Sequence, residues 1–158
     1  MDNKAESVGA GIGRIPSGCS ILTVQHAGQA TGMLVSWVQQ AAFAPPSISV
    51  GVKRGRPAAG LIDGSGRFVL NVVGEDPKPM FKRFGKGFSL EEDAFAGLTI
   101  EASEFGPIIP ECIAQLGCRV MEKVAVGDHD IYFAEVVAAR GNAAVKPYVH
   151  IRSNGLSY

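Results

Sequence analysis

The chain has 158 residues, of which 46% are apolar and 19% charged, a composition that fits one ordered globular domain rather than a disordered segment. Its 15 basic residues balance 15 acidic ones, so the zero net charge gives no reason to expect general binding to nucleic acid. We find no apolar run long enough for a membrane span and no secretory signal pattern, and we therefore expect a cytoplasmic protein.

The cysteines and histidines show no metal-binding or disulfide pattern. The three cysteines are Cys19, Cys112 and Cys118. Their odd number and the lack of a CxxC spacing argue against a disulfide framework. His26, His129 and His150 are scattered without the spacing of metal ligands, so no metal site is predicted.

Residues 1–13 are polar and then rich in glycine. We expect a flexible N-terminal segment there, followed by a single domain over residues 14–158. The glycines of this segment invite comparison with the dinucleotide-binding fingerprint. No strand precedes them, however, and Arg14 stands where that fingerprint needs its third glycine.

The first half of the chain predicts three strands and one short helix. Residues 19–24, 31–38 and 47–52 are rich in β-branched and apolar side chains, and the third segment alternates with period two. Pro57 stands where a helix tolerates a missing N–H, so an alanine-rich helix is predicted from there to residue 62. Residues 63–66 then predict a turn.

The second half predicts three more strands and one more helix. The predicted strands are residues 67–73, 114–124 and 131–138, and the predicted helix is residues 79–84. Residues 85–97 are acidic and punctuated by glycine, which predicts a loop. About six strands with few, short helices indicate a mainly β fold, a barrel with helical additions.

The segment from Ser36 to Gln40 changes from apolar to mixed polar sequence without a turn signal. Where a strand ends, its backbone offers free donors and acceptors, which suit the edge of a flat heterocycle. The alternative is a corner of the sheet at which Trp37 simply fills the core.

A basic run, Lys53, Arg54 and Arg56, lies directly before the helix that begins at Pro57. Free N–H groups at a helix N-terminus attract anions, and guanidinium groups bind phosphate in a bidentate manner. This order predicts a phosphate site. A solvated basic turn is the alternative.

Two single residues complete the candidates. His129 lies between two predicted strands, where it would contact a ring or donate a proton near neutral pH, or else be a surface turn residue. Asn71 lies inside an apolar strand, where a buried amide needs partners, and its alternative role is to satisfy nearby backbone. The sequence has no catalytic triad order, carboxylate pair or P-loop, which favours a cofactor-dependent protein or a binding module over a hydrolase.

Motifs with a common order are spread over most of the chain, at residues 13–18, 21–23, 33–46, 68–73, 81–84, 95–98, 127–129 and 150–158. Together these segments resemble the flavin reductase family, the FMN-binding split β-barrels. Each segment is weak alone, and their common order and spacing carry the resemblance. The closest resemblance is to the C-terminal flavin reductase domain of cyanobacterial and chloroplast flavodiiron (diflavin) proteins.

The resemblance implies a homodimeric split β-barrel that binds FMN near the subunit interface and takes hydride from NADH or NADPH. By position, the implied ring contacts are Met33, Ser36, Trp37, Val38 and Gln39, and the implied phosphate contacts are Lys53, Arg54, Arg56 and the amide of Ala58. Asn71 and His129 would lie toward the flavin pocket, with His129 beside the nicotinamide. One departure is that residues 53–60 lack the Ser or Thr that many relatives place near the phosphate.

Three functions remain open at this stage. The first is an NAD(P)H:flavin oxidoreductase that passes electrons to a free flavin, a partner protein or a small acceptor. The second is a non-enzymatic FMN-binding electron carrier, and the third is a structural barrel without a cofactor. The nicotinamide site of this family is built largely from shape and backbone, so residue types alone do not separate the first two.

Overall fold

The computed structural model describes residues 3–157 and shows a mainly β chain with three helices in that range. The elements are α1 Asn3–Gly13, β1 Ser17–Gly18, β2 Ser20–His26, β3 Gln29–Val35, β4 Val38–Phe43, β5 Pro46–Lys53, α2 Pro57–Ser65, β6 Arg67–Val72, α3 Lys78–Phe84, β7 Ala114–Val126, β8 His129–Gly141 and β9 Val149–His150. None of the helices within these residues has the length and apolar character needed to cross a membrane.

Seven strands form one antiparallel sheet in the order β3-β2-β6-β7-β8-β5-β4. β3 and β4 are the two edges of this order, yet only Ser36 and Trp37 separate them along the chain. The three peptide units between these strands span at most about 11 Å. The sheet must therefore curl until its edges approach each other, and β3 does contact β5.

The strand predictions are confirmed at five places and need correction at one. β2, β5, β6, β7 and β8 correspond to the predicted strands. The strand predicted over residues 31–38 instead ends at Val35, and the unpredicted β4 starts at Val38. Most of β4 is exposed at the edge of the sheet, so it lacks the apolar alternation by which a half-buried strand is detected.

The turn predicted over residues 63–66 is wrong, because α2 continues to Ser65. Only Gly66 leaves the helix, with φ of 66° and an N–H that donates to the carbonyl of Ile62 at 2.7 Å. Gly64 lies within the helix, and the ring of His26 packs against it where a Cβ would lie 2.4 Å from a ring carbon. Gly64 therefore serves close packing against His26 rather than the turn that the sequence suggested.

The N-terminal segment also differs from the expectation, since its described part is helical from Asn3 to Gly13. Residues 1 and 2 lie outside the described range. The helix packs on the C-terminal tail, where the N–H of Gly155 donates to the carbonyl of Gly9 at 2.7 Å. A Cβ on Gly13 would lie 2.6 Å from the carbonyl oxygen of Arg152. The absence of side chains at these glycines allows the tail to approach closely.

Two apolar clusters hold the sheet in place. The inner cluster fills the curled sheet and includes Leu22, Val50, Phe68 and Tyr132. The outer cluster lies under α3 and the long connection that follows it, and includes Ile21, Met80, Phe84 and Ile109. Burial of this area supplies most of the driving force for folding, at roughly 25 cal/mol per Å² of apolar surface.

All three cysteines are free and buried. Burial raises the pKa of the Cys19 thiol to about 11, and that of Cys112 and of Cys118 to about 12. Thiols with such pKa values stay protonated at neutral pH and behave as small apolar side chains.

Polar contacts tie α2 to the long β7–β8 hairpin. The hydroxyl of Tyr132 donates to Asp63 at 3.0 Å, and the ammonium of Lys123 donates to the same carboxylate at 2.8 Å. The carboxylate raises the pKa of Lys123 through this hydrogen bond. These contacts fix the orientation of α2 and thereby the position of the basic loop at its N-terminus.

Candidate functional site

Two adjoining cavities lie where the chain crosses between the two sheet edges. The larger has a volume of about 1150 Å³ and the smaller about 500 Å³. They share the lining residues Ser36, Trp37, Gly51, Lys53, Arg152 and Ser157. The crossing segment that curls the sheet therefore also forms the wall between two binding spaces.

The structure brings most of the predicted site residues to these cavities. Ser36, Trp37 and Lys53 line both, Val38, Gln39 and His129 line the larger, and Met33 and Arg56 line the smaller. Arg54, Ala58 and Asn71 line neither cavity. The residues that line the cavities come from four different strands and two loops, which only the curled sheet places together.

His129 is a buried strand residue, so its interpretation as a surface turn histidine is wrong. The turn between β7 and β8 consists only of Gly127 and Asp128, and His129 is 5% exposed. Its ring lies against Trp37, with ring centroids 4.3 Å apart and planes at 33°. The sequence suggested a longer link because the polar residues of the turn continue into the strand.

Asp128 holds the His129 ring through a contact with Nδ1. The carboxylate lies 2.7 Å from Nδ1 of His129, and this hydrogen bond is the main reason that the pKa of Asp128 is lowered. A carboxylate accepts, so Nδ1 carries the proton. The hydrogen bond at Nδ1 therefore leaves Nε2 as the ring nitrogen that can face a ligand.

Gly51 makes room for the Trp37 indole. Its N–H donates to the carbonyl of Trp37 at 2.9 Å. A Cβ on Gly51 would lie only 3.0 Å from ring carbon Cε3 of Trp37. A larger residue here would displace the indole that forms part of both cavity walls.

The charges around the smaller cavity are positive. Lys53, Arg56 and Arg152 line it, and no acidic side chain is found among the described residues of its wall. The guanidinium of Arg152 lies 5.5 Å from the centre of the Trp37 ring, a cation–π distance. Within residues 3–157, neither Arg56 nor Arg152 has a carboxylate or carbonyl acceptor for its guanidinium, which is unusual for partly enclosed arginines.

Arg54 and Ala58 lie elsewhere. Arg54 donates from Nε to Asp130 at 3.0 Å and has its side chain half exposed. Ala58 is 2% exposed, with its methyl group in the inner apolar cluster. The ion pair explains why Arg54 turns away from the cavities while Arg56, two residues later, does not.

Asn71 is completely buried within β6, and its side chain is fully engaged by protein groups. Its amide donates to the carbonyl of Ile21 and to the hydroxyl of Thr23, both at 3.0 Å. Its carbonyl accepts from the backbone N–H of Ile109 at 2.8 Å. This geometry agrees with the alternative role, in which Asn71 joins the sheet to the long connection after α3.

We expect Asn71→Leu to lower the free energy of unfolding by about 1–3 kcal/mol, because the N–H of Ile109 would remain buried without an acceptor. Urea unfolding followed by circular dichroism measures this change. Gln25→Ala is the matched control, since its exposed amide reaches only the carbonyl of Ser103 at 3.2 Å. The control should change stability by less than about 0.5 kcal/mol. Equal losses for both variants would contradict the assigned role.

Sequence reasoning gave no role to His150 and Arg152, although the tail motif contains both. β9 is only two residues long, and its pairing with β1 brings the tail beside the cavities. The available signal was the basic and aromatic character of residues 148–158. Nothing in the local pattern indicated that this tail would meet the segment around Trp37.

A family model described as "Flavin reductase like domain" matches residues 12–155. The chain belongs to this family. It is 37% identical over 150 residues to diflavin flavoprotein A 1 of Synechocystis sp., a match that covers 93% of this chain and 26% of the relative. This flavin reductase-like chain therefore spans about a quarter of the length of that relative.

Solved structures show the same fold for this flavin reductase-like chain. Nitrilotriacetate monooxygenase component B from Mycobacterium thermoresistibile has a TM-score of 0.80 and 28% identity, covering 91% of this chain and 80% of that one. The NADH:FAD oxidoreductase SgcE6 of Streptomyces globisporus has a TM-score of 0.84 and 19% identity, and the match covers 91% of this chain and 86% of that one. The second similarity concerns the fold alone.

Proposed function

We propose that this chain is an FMN-binding NAD(P)H:flavin oxidoreductase. The observation that carries the proposal is the smaller cavity, where Arg56 and Arg152 have no acceptor within residues 3–157 and lie beside the crossing segment at Trp37. Two guanidinium groups and Lys53 surround a cavity whose described lining residues include no carboxylate, and this arrangement fits a phosphorylated ligand. Family membership suggests that this ligand is a flavin nucleotide.

In this proposal the smaller cavity holds the phosphate and adjoining part of FMN, with the ring against the segment from Ser36 to Gln39. The larger cavity receives the nicotinamide of NADH or NADPH beside His129. Bound FMN would supply the hydride acceptor, and the protein side chains bind, orient and exclude water.

The proposal includes a homodimer with the split β-barrel form of the family. Ile15, Val149 and Leu156 line the larger cavity, yet each is more than half exposed, at 65%, 59% and 58%. A second copy over this face would cover them and enclose the nicotinamide site. The acceptor that follows FMN is a free flavin, a partner protein or a small molecule, and the setting is cytoplasmic.

An anaerobic absorbance titration of the purified protein tests the function. FMN or FAD is added first, followed by NADH or NADPH. Perturbed flavin bands that bleach with a nicotinamide nucleotide support the oxidoreductase. Flavin binding without bleaching supports the electron carrier instead, and no perturbation with either flavin overturns both.

A further inference from the structure

His150 forms part of the smaller cavity wall, and its two ring nitrogens lie in different surroundings. The backbone pairing of β9 with Ser17 of β1 fixes its position. Its ring lies edge-on to Phe81 at 6.3 Å and next to Tyr148 at 6.1 Å, measured between centroids. Nδ1 is buried and has no hydrogen-bond partner in the described part of the chain. Because the residue nevertheless lines the cavity, Nε2 is the nitrogen that can reach a ligand.

The charges around His150 oppose a second proton on the ring. Burial and the neighbouring Arg152 lower its pKa from the usual 6.5. Lys53 and Arg56 line the same cavity, Cys19 is a neutral thiol with a pKa of about 11, and the described wall offers no carboxylate. A proton on Nδ1 would also leave a buried N–H without an acceptor, which costs more than a buried lone pair. The single proton therefore belongs on Nε2.

We infer that His150 donates a hydrogen bond from Nε2–H, as a neutral imidazole, to a carbonyl oxygen of the pyrimidine ring of the bound flavin. The inference rests on the proposed function. A neutral donor that does not gain charge suits an uncharged acceptor, whereas the phosphate suits Arg56 and Arg152. Ser36 and Trp37, which are proposed to face the ring, line the same cavity as His150.

The first test compares flavin affinities of His150→Phe with those of the unaltered protein. FMN and riboflavin are both used, because riboflavin has the ring without the phosphate. We expect His150→Phe to weaken both by the same factor, about 3- to 10-fold, the range of one neutral hydrogen bond. His150→Gln keeps an N–H donor and should recover most of the loss. His26→Gln, at the exposed end of β2 and outside both cavities, is the control and should leave both affinities unchanged.

The outcomes separate the inference from the function on which it rests. A loss for FMN alone assigns His150 to the phosphate and overturns the ring contact, and unchanged affinity for both ligands overturns any contact. If the unaltered protein binds neither flavin, the proposed function fails and the inference fails with it. Thermal unfolding of each variant shows whether a loss reflects the fold rather than the contact.

A second measurement is made on the unaltered protein, with its own His150 in place. Nitrogen-15 NMR of labelled histidine distinguishes the two neutral tautomers and the charged ring, with His26→Gln and His150→Gln used only to assign signals. We expect His150 to be neutral at pH 7 with its proton on Nε2, and to remain neutral when FMN is added while its Nε2 signal shifts. A proton on Nδ1, or a charged ring at pH 7, would overturn the inference.

Discussion

Replacing both Arg56 and Arg152 by alanine is expected to weaken FMN binding by about 100-fold or more. A hydrogen bond to a charged group contributes about 1.5–3 kcal/mol, and each 1.4 kcal/mol is a factor of ten. Each single variant should therefore lose about 10- to 100-fold, with incomplete additivity because the two groups share one ligand. Quenching of flavin fluorescence on titration with protein measures these affinities.

Two further arginines make this experiment discriminating. Arg54 lies two residues before Arg56 but pairs with Asp130. If this ion pair keeps Arg54 away from the phosphate, Arg54→Ala should change FMN affinity by less than about threefold. Arg67→Ala is the remote control, since Arg67 pairs with Glu104 at 2.9 Å. Riboflavin should be insensitive to the Arg56 and Arg152 substitutions. A loss at Arg54 equal to that at Arg56 would move the phosphate site to the basic loop as a whole.

Local pattern predicted the central strands because each packs at least one face against an apolar cluster. β2 and β6 are almost continuously buried, and β5 alternates between buried and less buried residues. A continuous apolar run and an apolar alternation can both be recognised within six to eight residues of sequence. The edge strand β4 and the helix α1 were missed for the opposite reason. β4 buries little, and α1 is stabilised by the distant tail around Gly155, which no window of neighbouring residues contains.

The residues of the candidate site also divide into those that neighbouring sequence could predict and those that depend on distant contacts. Ser36 to Gln39 follow a strand end, and Lys53 and Arg56 precede a helix, so their positions could be predicted from neighbouring residues. Arg54 could not be separated from Arg56, because the ion pair with Asp130 depends on the pairing of β5 with β8. Arg152 was missed since its place at the cavity depends on the packing of the tail against α1.

Gly51→Val is expected to reduce flavin affinity by more than about 100-fold while the sheet remains folded. The new Cβ would lie 3.0 Å from Cε3 of Trp37 and 3.4 Å from the terminal carbon of Ile131, and the two methyl groups would approach further. The indole must then leave the wall shared by both cavities. Valine is a favourable strand residue, so β5 itself should tolerate the change.

Trp37 is the single tryptophan of the chain, so its fluorescence reports this displacement directly. In the unaltered protein, bound FMN should quench the tryptophan emission strongly, because the ring is proposed to lie against this indole. Gly51→Val should shift the emission to longer wavelength, as the indole becomes more exposed to water, and should abolish the quenching by FMN. Gly60→Val is the matched control, since a Cβ on exposed Gly60 of α2 would meet nothing within 4 Å. Quenching by FMN that survives unchanged in Gly51→Val would place the flavin away from Trp37 and contradict the proposed position of its ring.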